Sequence, residues 1–266
     1  MIRKARVAGQ FYPEDAGDLL GAVKRLLSAC AEEKVLAIMA PHAGYIYSGG
    51  VAGSVYSAVA VPETVVLIGP NHTGMGEMAS IMTVGQWQTP LGNMDINLEL
   101  AAAIFRSSRL FSDDASAHQM EHSLEVQLPF VYCRNKRASI VPITVARTDF
   151  KKCEEMGKGI ATAIAGYGKD VLIVASSDMN HYDSDKITRE KDRLAIDMAL
   201  RLDARGLLQV VSSKGITMCG AIPAAISIVA AKALGAQEAR LVKYATSAEA
   251  SGDFERVVGY AGMLFK

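Results

Sequence analysis

The sequence has 266 residues, 50% hydrophobic and 21% charged, and its 28 Lys and Arg residues balance its 28 Asp and Glu residues. This composition is typical of a globular protein. A chain of this length can form one α/β domain over residues 1–266, with a core that needs no disulfide or metal. The balanced charge argues against nucleic acid as a partner, and no apolar run approaches the roughly 20 residues of a membrane span.

The N-terminal residues and the cysteines indicate a cellular location. Residues 1–6 are basic, but no apolar segment of the kind found in signal peptides follows them. The four cysteines are scattered and form no C-x-x-C pair, which argues against a disulfide framework and against a zinc ribbon. We therefore expect a cytoplasmic protein in which any metal serves function rather than folding.

Helical and strand patterns alternate from the N-terminus onward. An apolar spacing typical of helices covers residues 15–29, and a short apolar run over 35–40 predicts a buried strand. Small residues over 48–60 favour a closely packed helix. A second buried strand is predicted over 64–69.

The middle of the chain continues the alternation. Helices are predicted over 98–107 and 123–132, followed by a strand over 139–145. That strand contains Pro142, which favours a position near an edge of the sheet because proline cannot donate a backbone hydrogen bond. A helix over 150–165 and a third buried parallel strand over 171–175 follow.

The C-terminal part has two further helical patterns, over 188–202 and 221–234, and then two strand patterns, over 239–245 and 256–264, that suit a hairpin. Alternating strands and helices predict a layered α/β fold. In such folds ligands gather beyond the carboxyl ends of the strands, so polar residues at those points are candidates for function.

Three of the five histidines follow three of the predicted strands. His42 comes after the first strand, His72 after the second, and His181 after the strand at 171–175. Imidazole is the commonest metal ligand and a good base at neutral pH. Two histidines with one anionic ligand and open positions form the donor set of non-haem iron oxygen chemistry. The sequence therefore predicts a mononuclear metal site.

Cys219 is the candidate for the anionic ligand. It precedes a helix predicted to start near Ala221, and a helix N-terminus lowers the pKa of a thiol. A thiolate is a soft ligand suited to iron, copper or zinc. The alternative is that Cys219 is simply a small buried residue, and its position alone does not decide between the two. The other three cysteines lie in or beside helical patterns and are assigned to packing.

Residues 118–122 fit H-x-x-E-H, the inverted motif of one class of zinc protease. On a helix, His118 and His122 would share a face and Glu121 would be the base. The preceding residues 113–117 are typical of a loop, so a helix would begin near Glu121 and the spacing would not be helical. A zinc metallohydrolase remains as an alternative function.

Several motifs occur in the order found in the MEMO family. They are AGQFYP at 8–13, PHAGY at 41–45, GPNH at 69–72, EHSLEVQLPF at 121–130, SSD at 176–178 with His181, and Cys219-Gly220. The chain resembles this family over nearly its whole length. The combination of PHAGY with EHSLEVQLPF makes the resemblance specific.

The MEMO family resembles the class III extradiol ring-cleaving dioxygenases in fold. The resemblance implies a single-domain, layered α/β/α sandwich with a mixed, largely parallel central sheet. It also implies that His42 and His72 are metal ligands, and that Cys219 stands where the dioxygenases have a glutamate. Fe(II) is the first expected metal, copper the second and zinc the third.

The same resemblance implies roles for three more residues. His181, oriented by Asp178, would be the acid/base group, and His122 would contact dioxygen or substrate. The leading hypothesis is a non-haem iron-dependent, dioxygenase-like oxidoreductase acting on a catechol-type or other small aromatic substrate. The alternative is a non-catalytic iron- or copper-binding protein that acts through protein partners, because microbial family members are often associated with radical-SAM and AMMECR-type proteins.

Overall fold

The apolar runs form the middle of a nine-stranded sheet in a computed structural model, which describes residues 1–266. The strands are β1 (Ile2–Arg3), β2 (Ala37–Ala40), β3 (Thr64–Pro70), β4 (Ala79–Ile81), β5 (Gln86–Thr89), β6 (Gly92–Asp95), β7 (Ser112–Asp113), β8 (Ser139–Val145), β9 (Leu172–Ser176), β10 (His181–Asp183), β11 (Ala239–Thr246) and β12 (Val257–Phe265). The helices are α1 (Ala16–Leu26), α2 (Tyr45–Ser57), α3 (Leu98–Ser107), α4 (Leu128–Arg134), α5 (Phe150–Tyr167), α6 (Asp185–Leu200), α7 (Ala204–Ser213), α8 (Ala221–Ala233) and α9 (Ala248–Ser251).

The large sheet is mixed, with parallel strands at its centre. Its order is β10-β12-β2-β9-β3-β8-β4-β7, and β11 pairs with the other side of β12. The neighbours β2, β9, β3 and β8 are parallel, whereas β12 runs antiparallel to β2 and β4 antiparallel to β8. All residues of β2, β3 and β9 are buried, as expected for strands covered on both faces. The hairpin predicted at the C-terminus is confirmed by the antiparallel pair β11 and β12.

Helices cover both faces of this sheet. The connection from β2 through α2 to β3 runs in one direction across the strand order, and the connection from β8 through α5 to β9 runs in the opposite direction. Right-handed crossovers therefore put α2 and α5 on opposite faces. Helices α1 and α4 pack with α2, and α3 and α8 pack with α5. The predicted α/β/α sandwich is confirmed, and 69 buried hydrophobic residues form one continuous core.

The structure differs from the sequence prediction in four places. Pro142 does not lie on an edge strand, because β8 pairs with β3 on one side and β4 on the other. Its carbonyl accepts from the N–H of Met82, which lies just beyond β4. Pro142 has no N–H to donate, and it lies opposite a position where β4 has already ended. The helix predicted over 123–132 is shorter, since a 3-10 turn (Glu125–Gln127) precedes α4. Helix α7 and the small sheet of β1, β5 and β6 were not predicted.

No helix of the structure combines the length and the apolar character needed to cross a membrane.

Candidate metal centre

Three of the candidate residues occupy equivalent places at one edge of the sheet. His42, His72 and Asp178 each lie two residues beyond the end of β2, β3 and β9, respectively. Those three strands are parallel neighbours, so their carboxyl ends meet. The parallel strands thus bring His42 and His72 beside Asp178, which lies more than 100 positions later in the sequence. They meet at the edge of the sheet where ligands usually bind.

Three histidines form a cluster at this edge. One ring nitrogen each from His42, His72 and His122 lies within 4.8 Å of the other two. The ring centroids are 5.3 Å apart for His42 and His72, 5.5 Å for His42 and His122, and 4.7 Å for His72 and His122. Cys219 lies next to the cluster, with its Sγ 3.2 Å from Nε2 of His42. The structure therefore places the two predicted histidine ligands together, adds His122, and puts Cys219 against His42.

The hydrogen bonds of His42 fix which ring nitrogen is free. Its Nδ1 lies 3.0 Å from the Ser176 hydroxyl, which donates its own proton to the Ser123 carbonyl and accepts from the Gln127 amide. Ser176 can therefore only accept from His42, so Nδ1 carries the proton and Nε2 keeps its lone pair. That lone pair points to the side where Cys219 lies.

His72 is fixed in the same way by a carboxylate. Its Nδ1 lies 2.9 Å from Oε1 of Glu121, and its backbone N–H donates to Oε2 at 2.6 Å. A carboxylate only accepts, so Nδ1 is protonated and Nε2 is free to bind a metal. This histidine–carboxylate pair is the usual support for a metal-binding imidazole. The sequence indicated Glu121 only as a protease base, although its place beside His122 in the EHSLEVQLPF motif already put it at the site.

The charge state of these groups follows from their surroundings. Burial lowers the pKa of His42 well below its ordinary value, with further lowering from His122 and His72, and burial also lowers the pKa of His122. The imidazoles of His42 and His122 are thereby held neutral, which is the form that binds metals. Burial alone would raise the pKa of Glu121, but hydrogen bonds from His72 and the backbone, with the charge of His72, lower it to about 2.

The thiol of Cys219 behaves differently from what its place before a helix indicated. Burial and the nearby Asp178 raise its pKa well above the ordinary value, and backbone hydrogen bonds offset this only in part. The expected lowering by the N-terminus of α8 is therefore overcome by desolvation. In the metal-free site the thiol can donate to the free Nε2 of His42 at 3.2 Å.

Asp178 and His181 are both at the site but do not hold each other. Oδ1 of the buried Asp178 accepts from the backbone N–H of His42 at 2.7 Å. Nδ1 of His181 lies 2.8 Å from the Thr217 carbonyl, which can only accept, so Nε2 of His181 is unprotonated and partly exposed. The group that orients His181 is thus Thr217, whereas Asp178 positions the loop that carries His42. Burial raises the pKa of Asp178, against hydrogen bonds from the backbone of His42 and Ala43.

The H-x-x-E-H segment does not form the helix that a zinc protease needs. His118 ends a 3-10 turn (Ser116–His118), and residues 119–122 are not helical. His118 is fully buried and packs edge-on against Trp87 at a centroid distance of 5.7 Å, away from the histidine cluster. His118 and His122 therefore do not share a helix face.

A broad cleft opens beside the cluster. Its volume is about 1050 Å³, and its lining includes His72 and Cys219 together with Arg147, Phe150 and Arg205. A cleft of this size accommodates a small-molecule ligand in contact with the candidate metal ligands.

The sequence and the fold were compared with known proteins. The family model described as "Memo-like protein" matches residues 3–264. The chain is 39% identical to a MEMO1 family protein of Methanopyrus kandleri over 100% of this chain and 99% of that protein. It is 42% identical to one of Pyrobaculum arsenaticum and 40% identical to one of Aquifex aeolicus, each over 99% of both chains. An uncharacterized protein of Escherichia coli K12 has a similar fold, with a TM-score of 0.54 and 10% identity over 87% of this chain and 100% of that chain. The match over nearly the whole length, both to the family model and to these relatives, places this chain in the Memo-like family.

Proposed function

We propose that this protein binds a single iron ion at the histidine cluster and acts as a dioxygenase-like oxidoreductase on a catechol-type or other small aromatic substrate. The observation that carries the proposal is the convergence of three imidazoles, two of which donate their Nδ1–H to a defined acceptor and leave Nε2 facing the cluster. Copper is the second metal to test, because thiolate and imidazole donors also suit it.

The donor set fits one metal ion. Nitrogens bound to one ion at about 2.1 Å in a tetrahedral or facial arrangement lie about 3.0–3.4 Å apart. The three ring nitrogens lie within 4.8 Å of one another, so shifts of at most about 1–2 Å are needed to bring them to one ion. We place His42 and His72 as ligands, Cys219 as the anionic ligand because its Sγ lies 3.2 Å from Nε2 of His42, and His122 facing the open side. Binding would release the thiol proton that Cys219 shares with His42.

The protein's own groups suit proton transfer to and from a phenolic substrate. Nε2 of His181 is unprotonated and accessible, so it can take a proton from a substrate hydroxyl and later return it. The Thr217 carbonyl fixes the ring that does this. His122, neutral and half-buried, can donate a hydrogen bond to a bound oxygen species or substrate. Bound iron would supply the redox chemistry with dioxygen.

The first experiment is elemental analysis of anaerobically purified protein. We expect about one iron or copper per chain, and loss of that metal in His42→Ala and in Cys219→Ala. The matched controls are His118→Ala, a buried histidine outside the cluster, and Cys30→Ala, an exposed cysteine. Metal retained in Cys219→Ala would remove the cysteine from the ligand set. Zinc with hydrolytic activity that His118→Ala abolishes would favour the metallohydrolase instead.

The second experiment tests the reaction. The Fe(II)-loaded protein is incubated aerobically with a panel of catechols, and ring cleavage is followed by the appearance of a yellow product. We expect turnover in the wild type and its loss in His181→Ala with metal retained. Tight metal binding with no product across a broad panel would contradict the enzymatic proposal and favour a metal-binding protein that acts through partners.

A further inference from the structure

The cleft beside the histidine cluster is larger than a simple catechol needs. Its volume of about 1050 Å³ matches the upper range of pockets that bind drug-sized ligands. Its lining includes His72 and Cys219, and the remainder is formed mainly by α7, by the residues after β8 and by the start of α8. A single aromatic ring at the metal centre would leave most of this space to a further part of the ligand.

Two arginines without protein partners line this space. Arg147 lies two residues beyond β8, the parallel neighbour of the strand that carries His72. Arg205 lies in the first turn of α7, with its guanidinium 4.4 Å from the centroid of the Phe150 ring. Neither guanidinium makes a hydrogen bond or ion pair within the protein, and both residues are exposed, whereas each of the three guanidinium nitrogens of the buried Arg3 donates to a protein acceptor.

The other charges of the lining do not cancel these two. Asp149 is the one carboxylate in the lining, and its Oδ1 caps α5 by accepting from the Lys152 N–H at 3.0 Å. Glu154, on the next turn of α5, is paired with Lys158 at 2.9 Å. Arg147 and Arg205 therefore give the lining of the cleft a net positive charge.

We propose that this cleft binds an anionic arm of the substrate, a carboxylate or a phosphate, through Arg147 and Arg205. Guanidinium groups recognise both oxyanions with paired hydrogen bonds, and the ring of Phe150 holds Arg205 in place for this. The inference rests on the proposed function, since it makes the substrate a catechol-type compound with an anionic side chain rather than a bare ring.

The test compares an acid with its neutral ester. Binding of 3-(3,4-dihydroxyphenyl)propionate and of its methyl ester to the iron-loaded protein is measured by calorimetry under anaerobic conditions. We expect the acid to bind at least about tenfold more tightly in the wild type, as for one charge-assisted contact. We expect that preference to fall to about threefold or less in the Arg147→Gln, Arg205→Gln double variant and to persist in Arg106→Gln, an exposed arginine on α3 outside the cleft. The same calorimetric measurement with phenyl phosphate distinguishes a phosphate arm from a carboxylate arm.

A second measurement separates this inference from the proposed function. Metal-free protein is titrated with 3-phenylpropionate and its methyl ester, and binding is followed by saturation-transfer NMR. Acid-selective binding that the double variant loses would support the anion subsite even if no catechol binds or reacts. Equal binding of acid and ester to the metal-free and the iron-loaded wild type would overturn the anion subsite. A preference for the acid that survives in the double variant would also overturn it.

Discussion

Two neighbouring buried regions of this protein use polar groups in opposite ways. The first is the histidine cluster of His42, His72 and His122. The second, which we call the Arg3 region, consists of Arg3, Trp87, His118 and Glu125. The loop over residues 114–127 contributes to both. In the cluster the lone pairs of two imidazoles are left free, whereas in the Arg3 region the charged groups satisfy one another.

The Arg3 region is held by a fully buried guanidinium. Arg3 donates to the His118 carbonyl at 2.9 Å, to the Glu121 carbonyl at 2.6 Å and to the Glu125 carboxylate, and it lies 4.5 Å from the Trp87 ring centroid. The N-terminal strand thus fixes the backbone on both sides of Glu121, whose carboxylate holds His72. A buried histidine alone is therefore no sign of a metal site. Free ring nitrogens that converge are the relevant feature.

Breaking the Arg3 ion pair should have the largest effect on stability. Arg3→Met would leave Glu125 buried without its cation, and the loss of one partner from a buried pair typically destabilises by about 3–5 kcal/mol. Urea denaturation of the metal-free protein measures this. The matched control is Arg6→Met, because that guanidinium is exposed and makes a single hydrogen bond, to Gln119. Equal destabilisation in the two variants would contradict the role of the buried pair.

His118 should contribute to the pH dependence of stability. Burial, with the nearby Arg3, lowers the pKa of His118 to about 4. The unfolded chain, in which histidine titrates near about 6.5, then binds more protons than the folded protein between these values. Stability is therefore lost as the pH falls from about 6.5 to about 4, by up to about 3 kcal/mol for this residue. His118→Leu should show a shallower loss in denaturation curves recorded across this range, and curves parallel to those of the wild type would contradict the assignment.

The sequence was sufficient to predict the central strands of the sheet because they are continuous apolar runs. Such runs are characteristic of strands buried on both faces. The positions of His42 and His72 followed from the rule for strand ends. Helix α7 was not predicted, although its apolar residues follow a helical spacing. The short strands β4 and β7 carry too few residues for a periodic signal.

The supporting groups of the site could not be predicted from the pattern. Ser176 orients His42 through its hydroxyl and Thr217 orients His181 through its backbone carbonyl, and nothing in the local sequence distinguishes them from other Ser and Thr residues. The resemblance to the MEMO family supplied His122, which no periodicity indicated. The sequence places Cys219 before a helix but does not reveal the burial that raises its pKa.

Weakening the support of His72 should lower metal affinity without unfolding the protein. Glu121→Gln keeps the shape but replaces the carboxylate that accepts from His72 with an amide, and loss of such a partner typically lowers metal affinity by about 10–100-fold. Competitive titration with a chelator measures the change, and circular dichroism checks the fold. Glu99→Gln, an exposed carboxylate in the first turn of α3, should leave the affinity unchanged. An unaltered affinity in Glu121→Gln would remove His72 from the ligands or Glu121 from its support.

The smallest expected effect on stability comes from removing a buried hydroxyl that makes hydrogen bonds, compared with removing one that makes none. Ser176→Ala removes the acceptor of His42 Nδ1 and of Gln127 and the donor to Ser123, leaving buried polar groups without partners. Such a loss destabilises by about 1–3 kcal/mol. Ser227→Ala is the matched control, since its hydroxyl is equally buried but has no hydrogen-bond partner. We expect that control to be neutral or slightly stabilising in urea denaturation. Equal effects of the two substitutions would mean that Ser176 does not fix the His42 tautomer, and the free Nε2 inferred for the cluster would lose its support.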